Sequence, residues 1–168
     1  MTTNGLRMHV MTLVLSAALI GCSTTNPRVT TRFNAEASLR GELPWNPLQG
    51  TVVATWVDSR NSTTSTLYGN DAAFRYARSA VGGSYPMGAV LAVVTWKQQE
   101  DERWFGAKIP AAIESVEFVN VGGSAGGAVK YIYTQYIGTP LLQTQAGSEE
   151  TRSSRAAWIL AQRAAEMP

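Results

Sequence analysis

Four segments of the chain concentrate apolar and β-branched side chains as strands do, and two others space them at the helical interval. Thr51–Asp58 (TVVATWVD) is β-branched with one aromatic, the composition of a strand. Residues 89–96 (AVLAVVTW) form the most apolar uncharged run beyond the N-terminal region and predict a central strand. Residues 113–121 and Val129–Ile137 flank a Gly-rich loop at 122–127, which predicts an antiparallel hairpin with Tyr131 and Tyr133 on one face. Asn70 can cap a helix in which Ala73, Phe74 and Ala77 face a sheet while Asp71, Arg75 and Arg78 face water. A second helix is predicted over 153–167, capped by Ser153 or Ser154. Its apolar stripe is Ala157, Leu160, Ala161, Ala164 and Met167, opposite Arg155, Gln162, Arg163 and Glu166.

The polar stretches between these elements read as connections. Residues 59–69 form a turn region, 82–88 carry turn chemistry, and 98–103 (QQEDER) form a solvated loop. Pro44 and Pro47 favour an extended start to the compact part. The expected architecture is α+β: an antiparallel sheet of four or five strands with two helices packed on one face.

The N-terminus follows another pattern. Arg7 precedes an apolar stretch over 10–20, too short for a spanning helix of about 20 residues but suited to a signal-peptide core. Leu19-Ile20-Gly21-Cys22 follows it and resembles the lipobox of bacterial lipoproteins. The expected organisation is a signal peptide over 1–21, a lipidated tether over 22–42 and a domain over 43–168. Cys22 is the single cysteine, and acylation there would anchor the chain to a membrane. Ser23 stands where, by the same resemblance, an aspartate would favour inner-membrane retention. The expected location is therefore the outer membrane, facing the periplasm.

Composition narrows the chemistry. The chain has 14 basic and 12 acidic residues without a basic run, so nucleic acid is not an expected partner. His9, the single histidine, lies within the signal peptide, leaving the mature domain without imidazole or free thiol. That removes the usual zinc ligands and the base of a Ser-His-Asp or Cys-His device. Gly122-Gly123-Ser124-Ala125-Gly126 fits the spacing of a nucleophile elbow but precedes a strand and has no histidine to serve it. Asn61-Ser62-Thr63 is a formal glycosylation sequon without weight in a bacterial lipoprotein.

Leu67-Tyr68-Gly69-Asn70-Asp71, a helix, then Tyr85-Pro86-x-Gly88 opening an apolar strand that runs to Thr95-Trp96-Lys97, resembles the cytochrome P-460 domain over about residues 43–140. The resemblance implies a largely antiparallel sheet with helices and, in the enzymes of the family, a periplasmic c-type haem cross-linked to a lysine that oxidises hydroxylamine. It also implies a homodimer. The C-x-x-C-H motif of those proteins lies near the C-terminus, where this chain reads Thr151-Arg152-Ser153-Ser154-Arg155-Ala156-Ala157-Trp158. The resemblance therefore carries the fold without the haem attachment, and no cofactor is expected. Lys97 is the position at which a cross-link could be sought.

Three functional classes follow. The favoured one is a haem-free lipoprotein that binds a small ligand or an envelope protein, with Trp56, Tyr68, Trp96 and Trp104, joined by Trp45, as pocket residues. The second is a redox or other enzyme with a non-covalent cofactor, drawing on Asp58, Asp71, Glu100, Asp101 and Glu102 for acid-base work. The third is a structural envelope protein. Binding is favoured over catalysis because no catalytic constellation can be assembled from the residues present.

Overall fold

A computed structural model describes residues 35–79, 82–102, 104–123, 129–145 and 147–164. The signal-peptide segment, Cys22 and Ser23 lie outside the described residues, as do Ser124, Ala125 and Gly126. The domain is a six-stranded antiparallel sheet whose spatial order is the order of the chain. The strands are β1 (Thr51–Asp58), β2 (Thr63–Gly69), β3 (Val90–Glu100), β4 (Lys108–Gly123), β5 (Val129–Ile137) and β6 (Leu142–Thr144). Helix α1 (Asp71–Arg78) joins β2 to β3, and α2 (Glu149–Leu160) follows β6. No helix among the described residues is long and apolar enough to cross a membrane.

The α+β class therefore holds, with more strands than the apolar pattern predicts. β2 falls in the expected turn region 59–69. Its Thr63-Thr64-Ser65-Thr66 half carries hydroxyls where a hydrophobicity count looks for aliphatics, yet Thr63, Ser65 and Thr66 are buried. Cross-strand bonds serve Ser65 and Thr66, where Ser65 meets Thr95 at 2.9 Å and Thr55 donates to Thr66 at 3.3 Å, and half-buried Thr64 accepts from Gln98 at 2.7 Å. The loop expected at 98–103 is also shorter, because β3 continues to Glu100, which pairs with Lys108 at 3.3 Å across the hairpin. β6 is a three-residue edge strand that periodicity could not detect.

Asn70 caps α1 as expected and does more. Its Oδ1 accepts from the Ala73 amide at 3.0 Å and the Val90 amide at 3.1 Å, while Nδ2 donates to the Gly88 carbonyl at 2.9 Å. One side chain thus ties the end of β2, the start of α1 and the start of β3. α2 departs from expectation in start, end and phase. Ser148 caps it by accepting from the Thr151 amide at 3.2 Å, and Ala156 and Ile159 are its buried residues, whereas Ala157 and Ala161 are exposed. Ile159, the largest aliphatic available to the inner face, sets that phase.

Alternation along the strands gives the sheet two buried faces. On one, Leu67, Leu91, Val93, Val119 and Val121 meet Ala73, Ala77, Tyr85, Ala156 and Ile159 beneath both helices. On the other, Ala92, Val94, Trp96, Val116, Phe118, Tyr136 and Leu141 are covered by Ala37, Leu39, Leu43 and Trp45. The expected tether therefore gives up its described residues, 35–42, to the domain. Arg40 O accepts from the Leu141 amide at 2.7 Å, and Trp96 Nε1 donates to Ala37 O at 3.0 Å. Gly41 has φ of 139°, and a Cβ there would sit 2.5 Å from Leu141 O, so the strap needs glycine at its closest approach. Pro47–Gln49 form a short 3-10 turn in place of a fully extended start.

Candidate functional site

The pocket residues read from the sequence do not converge. Trp56 lies on the helix-bearing face of β1, whereas Trp96 and Tyr68 belong to the opposite face, where Trp45 covers the sheet. Trp96 is buried and fixed by Ala37, and burial raises the pKa of Tyr68. Trp104 is exposed in the β3–β4 turn. Lys97 is exposed within β3, three residues before its end, opposite Thr63 in register. The candidate carboxylates are equally dispersed. Asp58 accepts from the Arg60 and Asn61 amides and the Asn61 side chain, a turn role that lowers its pKa, first through the Asn61 amide. Asp71 opens α1, Glu100 pairs with Lys108, and Asp101 and Glu102 belong to the following turn. Among the described residues no cluster of acidic, histidine or cysteine side chains could hold a metal ion.

The structure instead builds its polar centre beneath α2, from residues that apolar periodicity passes over. Glu117 of β4 is 4% exposed. Arg155 of α2 grips its carboxylate with two nitrogens: Nε donates to Oε1 at 2.9 Å and Nη2 to Oε2 at 2.7 Å. Tyr133, the register partner of Val119 on β5, donates its hydroxyl to Glu117 Oε1 at 2.5 Å. Burial, and then the bond to Glu117 and its charge, hold the Tyr133 phenol well above the ordinary tyrosine range. The bond to Glu117 likewise raises Arg155 against the opposing effect of burial. The Arg155 guanidinium lies 4.4 Å from the Trp158 ring centroid, and Trp158 meets Trp56 edge-on at 5.1 Å. Trp56, Trp158, Arg155, Glu117 and Tyr133 form one continuous brace between helix and sheet. Glu117 gives its acceptors to Arg155 and Tyr133, so the brace holds α2 and offers no free base.

Two clefts open along α2, on either side of this brace, and Tyr131 of β5 lines both. Near the helix start, a polar cleft of about 330 Å³ runs between β5, β6 and Glu149, Arg152 and Ser153. At the helix end, a groove of about 480 Å³ is lined by Tyr85, Val121, Tyr131, Ala157, Leu160 and Arg163, with Gly83, Ser84 and Ala161 at its margin. The Tyr85 ring packs on Tyr76 at 4.5 Å between centroids, and its hydroxyl donates to Gln162 O at 2.8 Å. Burial raises the Tyr85 pKa, with Arg163 opposing it.

No protein-family model matches the chain, and no curated protein matches it either.

Residues 151–158, where the resemblance puts the haem-attachment motif, lie in α2, which turns Ala156 and Ile159 into the core and commits Arg155 to Glu117. What the helix face can do is enclose an uncharged or singly charged organic molecule against aromatic and aliphatic walls. The signal that would have found the brace is Glu117 within Val116-Glu117-Phe118-Val119: it shares a strand face with Val119 and Val121, so its carboxylate must enter the core and needs a cation there.

Proposed function

We propose that this chain is a lipoprotein, anchored at Cys22 in the cell envelope and facing the periplasm, whose cytochrome P-460-like domain binds a small ligand without haem. The groove of about 480 Å³ at the end of α2 carries the ligand reading. Its volume falls in the range of about 300–1,000 Å³ of small-molecule sites, and its lining joins two aromatic rings to aliphatic walls and a single cation. The brace of Glu117, Tyr133 and Arg155 supports the same reading, because it fixes α2 on the sheet and so keeps the groove formed without ligand. The meander of antiparallel strands with helices on one face agrees with the fold that the resemblance implies.

The ligand reading is tested by denaturing the purified full-length protein and identifying released small molecules by mass spectrometry. A species held near one-to-one by the native chain and lost from Ala157→Trp, which fills the groove from its exposed helix wall, is the expected result. Equal recovery from both proteins contradicts it. The anchor is tested separately: globomycin should make the precursor accumulate, and a Cys22→Ala chain that still partitions with membranes argues against lipidation.

A further inference from the structure

Arg163 gives the groove a chemical direction. It is exposed at the groove margin, one turn beyond the last residue of α2. Its Nη1 donates to Gln162 O at 3.0 Å and Leu160 O at 3.4 Å, and its Nη2 donates to Tyr76 Oη at 3.1 Å. The guanidinium lies 4.8 Å from the Tyr76 ring centroid and 5.7 Å from that of Tyr85, so two rings and three acceptors hold it in place. A guanidinium has five N–H donors. These contacts use three of them, the Tyr85 hydroxyl is a further partner, and none of the described carboxylates pairs with Arg163.

The other cations near α2 differ in this respect. Arg155 is committed to Glu117, and Arg152 pairs with Glu149. Arg163 alone among these three couples a fixed position on the groove wall to a charge that no described carboxylate neutralises. The remaining lining is aromatic or aliphatic apart from Ser84, and the Tyr85 hydroxyl donates its proton to Gln162 O. A molecule that satisfies the whole groove must place an apolar body between Val121, Leu160 and the two tyrosine rings and an anionic oxygen on Arg163.

Resting on the reading of the groove as a ligand site, we infer that it takes an amphipathic organic carboxylate, its ring or alkyl body enclosed by the walls and its carboxylate bonded to Arg163. A planar guanidinium matches a carboxylate better than an ammonium does, and its unneutralised charge supplies the selection. The Tyr76–Tyr85 pair behind Arg163 acts as a positioning platform that keeps the cation aimed at the groove.

The test compares 2-naphthoate with its uncharged analogue 2-naphthalenemethanol, by equilibrium dialysis against the full-length protein in lipid nanodiscs with empty nanodiscs as the blank. The expected result is that naphthoate binds the native chain about ten-fold tighter than the alcohol, the scale of a charge-assisted bond. Arg163→Gln should bring the naphthoate-to-alcohol affinity ratio from about ten-fold to about one, and Ala157→Trp should abolish binding of both. Equal affinities in the native chain, or a preference that survives Arg163→Gln, overturn the inference while the groove still stands if Ala157→Trp blocks binding. Binding of neither probe, or binding indifferent to Ala157→Trp, removes the groove reading and the inference with it.

Discussion

The two faces of the sheet are made by the same strands from alternate residues, yet one is closed and the other is open at its margins. On the closed face, Trp96, Phe118 and Tyr136 fill the space and an extended strap bearing Ala37, Leu39, Leu43 and Trp45 lies directly on them. An extended chain follows a twisted sheet closely and leaves a cleft of about 190 Å³ beside Ile113 and Leu141, smaller than those along α2. On the other face two helices of 8 and 12 residues, about 12 and 18 Å long, must cover a sheet of six strands, roughly 24 Å wide at 4.8 Å per step, and α2 takes the β4–β5 side. A cylinder on a twisted surface touches it in the middle and lifts away at its ends. The middle contact is the Glu117–Arg155–Tyr133 brace, and the lifted ends are the two clefts. Glu117 is the one charged residue buried among those described, and it stands on the open face. Both faces bury a core, and the open face adds the buried ion pair and the two clefts along α2.

That contrast can be broken most severely at Phe118. It is fully buried and meets Tyr136 edge-on at 5.7 Å. Phe118→Ala should cost about 4 kcal/mol in urea unfolding through the cavity it leaves, with ligand binding unchanged under conditions where the protein remains folded. Arg155→Ala acts on the other face. It strands the Glu117 carboxylate in the core, and because the Arg155 side chain is 35% exposed the loss should sit at the low end for a broken buried pair, about 3 kcal/mol. Unlike Phe118→Ala, it should also weaken binding in the groove, because α2 loses its brace. Trp96→Phe keeps an aromatic but leaves Ala37 O without its donor, which should cost about 1 kcal/mol and loosen the strap, read as faster amide exchange around Leu141.

The smallest effect is one of pH. The folded protein holds the Tyr133 proton more tightly than the unfolded chain, whose tyrosines titrate near 10.0. The stabilising contribution is therefore complete below pH 10 and is lost as pH rises through the higher folded-state value. Unfolding midpoints measured from pH 8 to 11 should fall at the alkaline end. Tyr133→Phe should flatten that fall, with a residual slope from Tyr68 and Tyr85, whose pKa values are also raised.

Much of this architecture was legible in the sequence wherever aliphatic content and turn residues agreed. The apolar run at 89–96, the hairpin around 122–127 and the Asn70 cap follow directly from side-chain type. β2 was hidden because threonine and serine serve strands as well as turns, and only cross-strand pairing decides between them. The phase of α2 is not set by its alanines, which mark neither face strongly: the stripe through Ala157 and Ala161 lies about 150° around the helix from the one through Ala156 and Ile159 at 3.6 residues per turn, and packing of Ile159 selects the second. The tryptophans drew attention as a pocket because of their size, but the two-residue period of strands sends Trp56 and Trp96 to opposite faces. Arg163 could not be recognised from pattern at all, because its neighbours Tyr76 and Tyr85 lie far from it in the chain.

The difference between the faces is tested most directly by hydrogen exchange on the full-length protein in nanodiscs, with and without saturating 2-naphthoate. Added protection should appear in peptides covering Tyr131–Tyr133 and Ala157–Arg163 and be absent from those covering the strap and the centre of β3. Protection along residues 37–45, or uniform protection of both faces, would contradict the account.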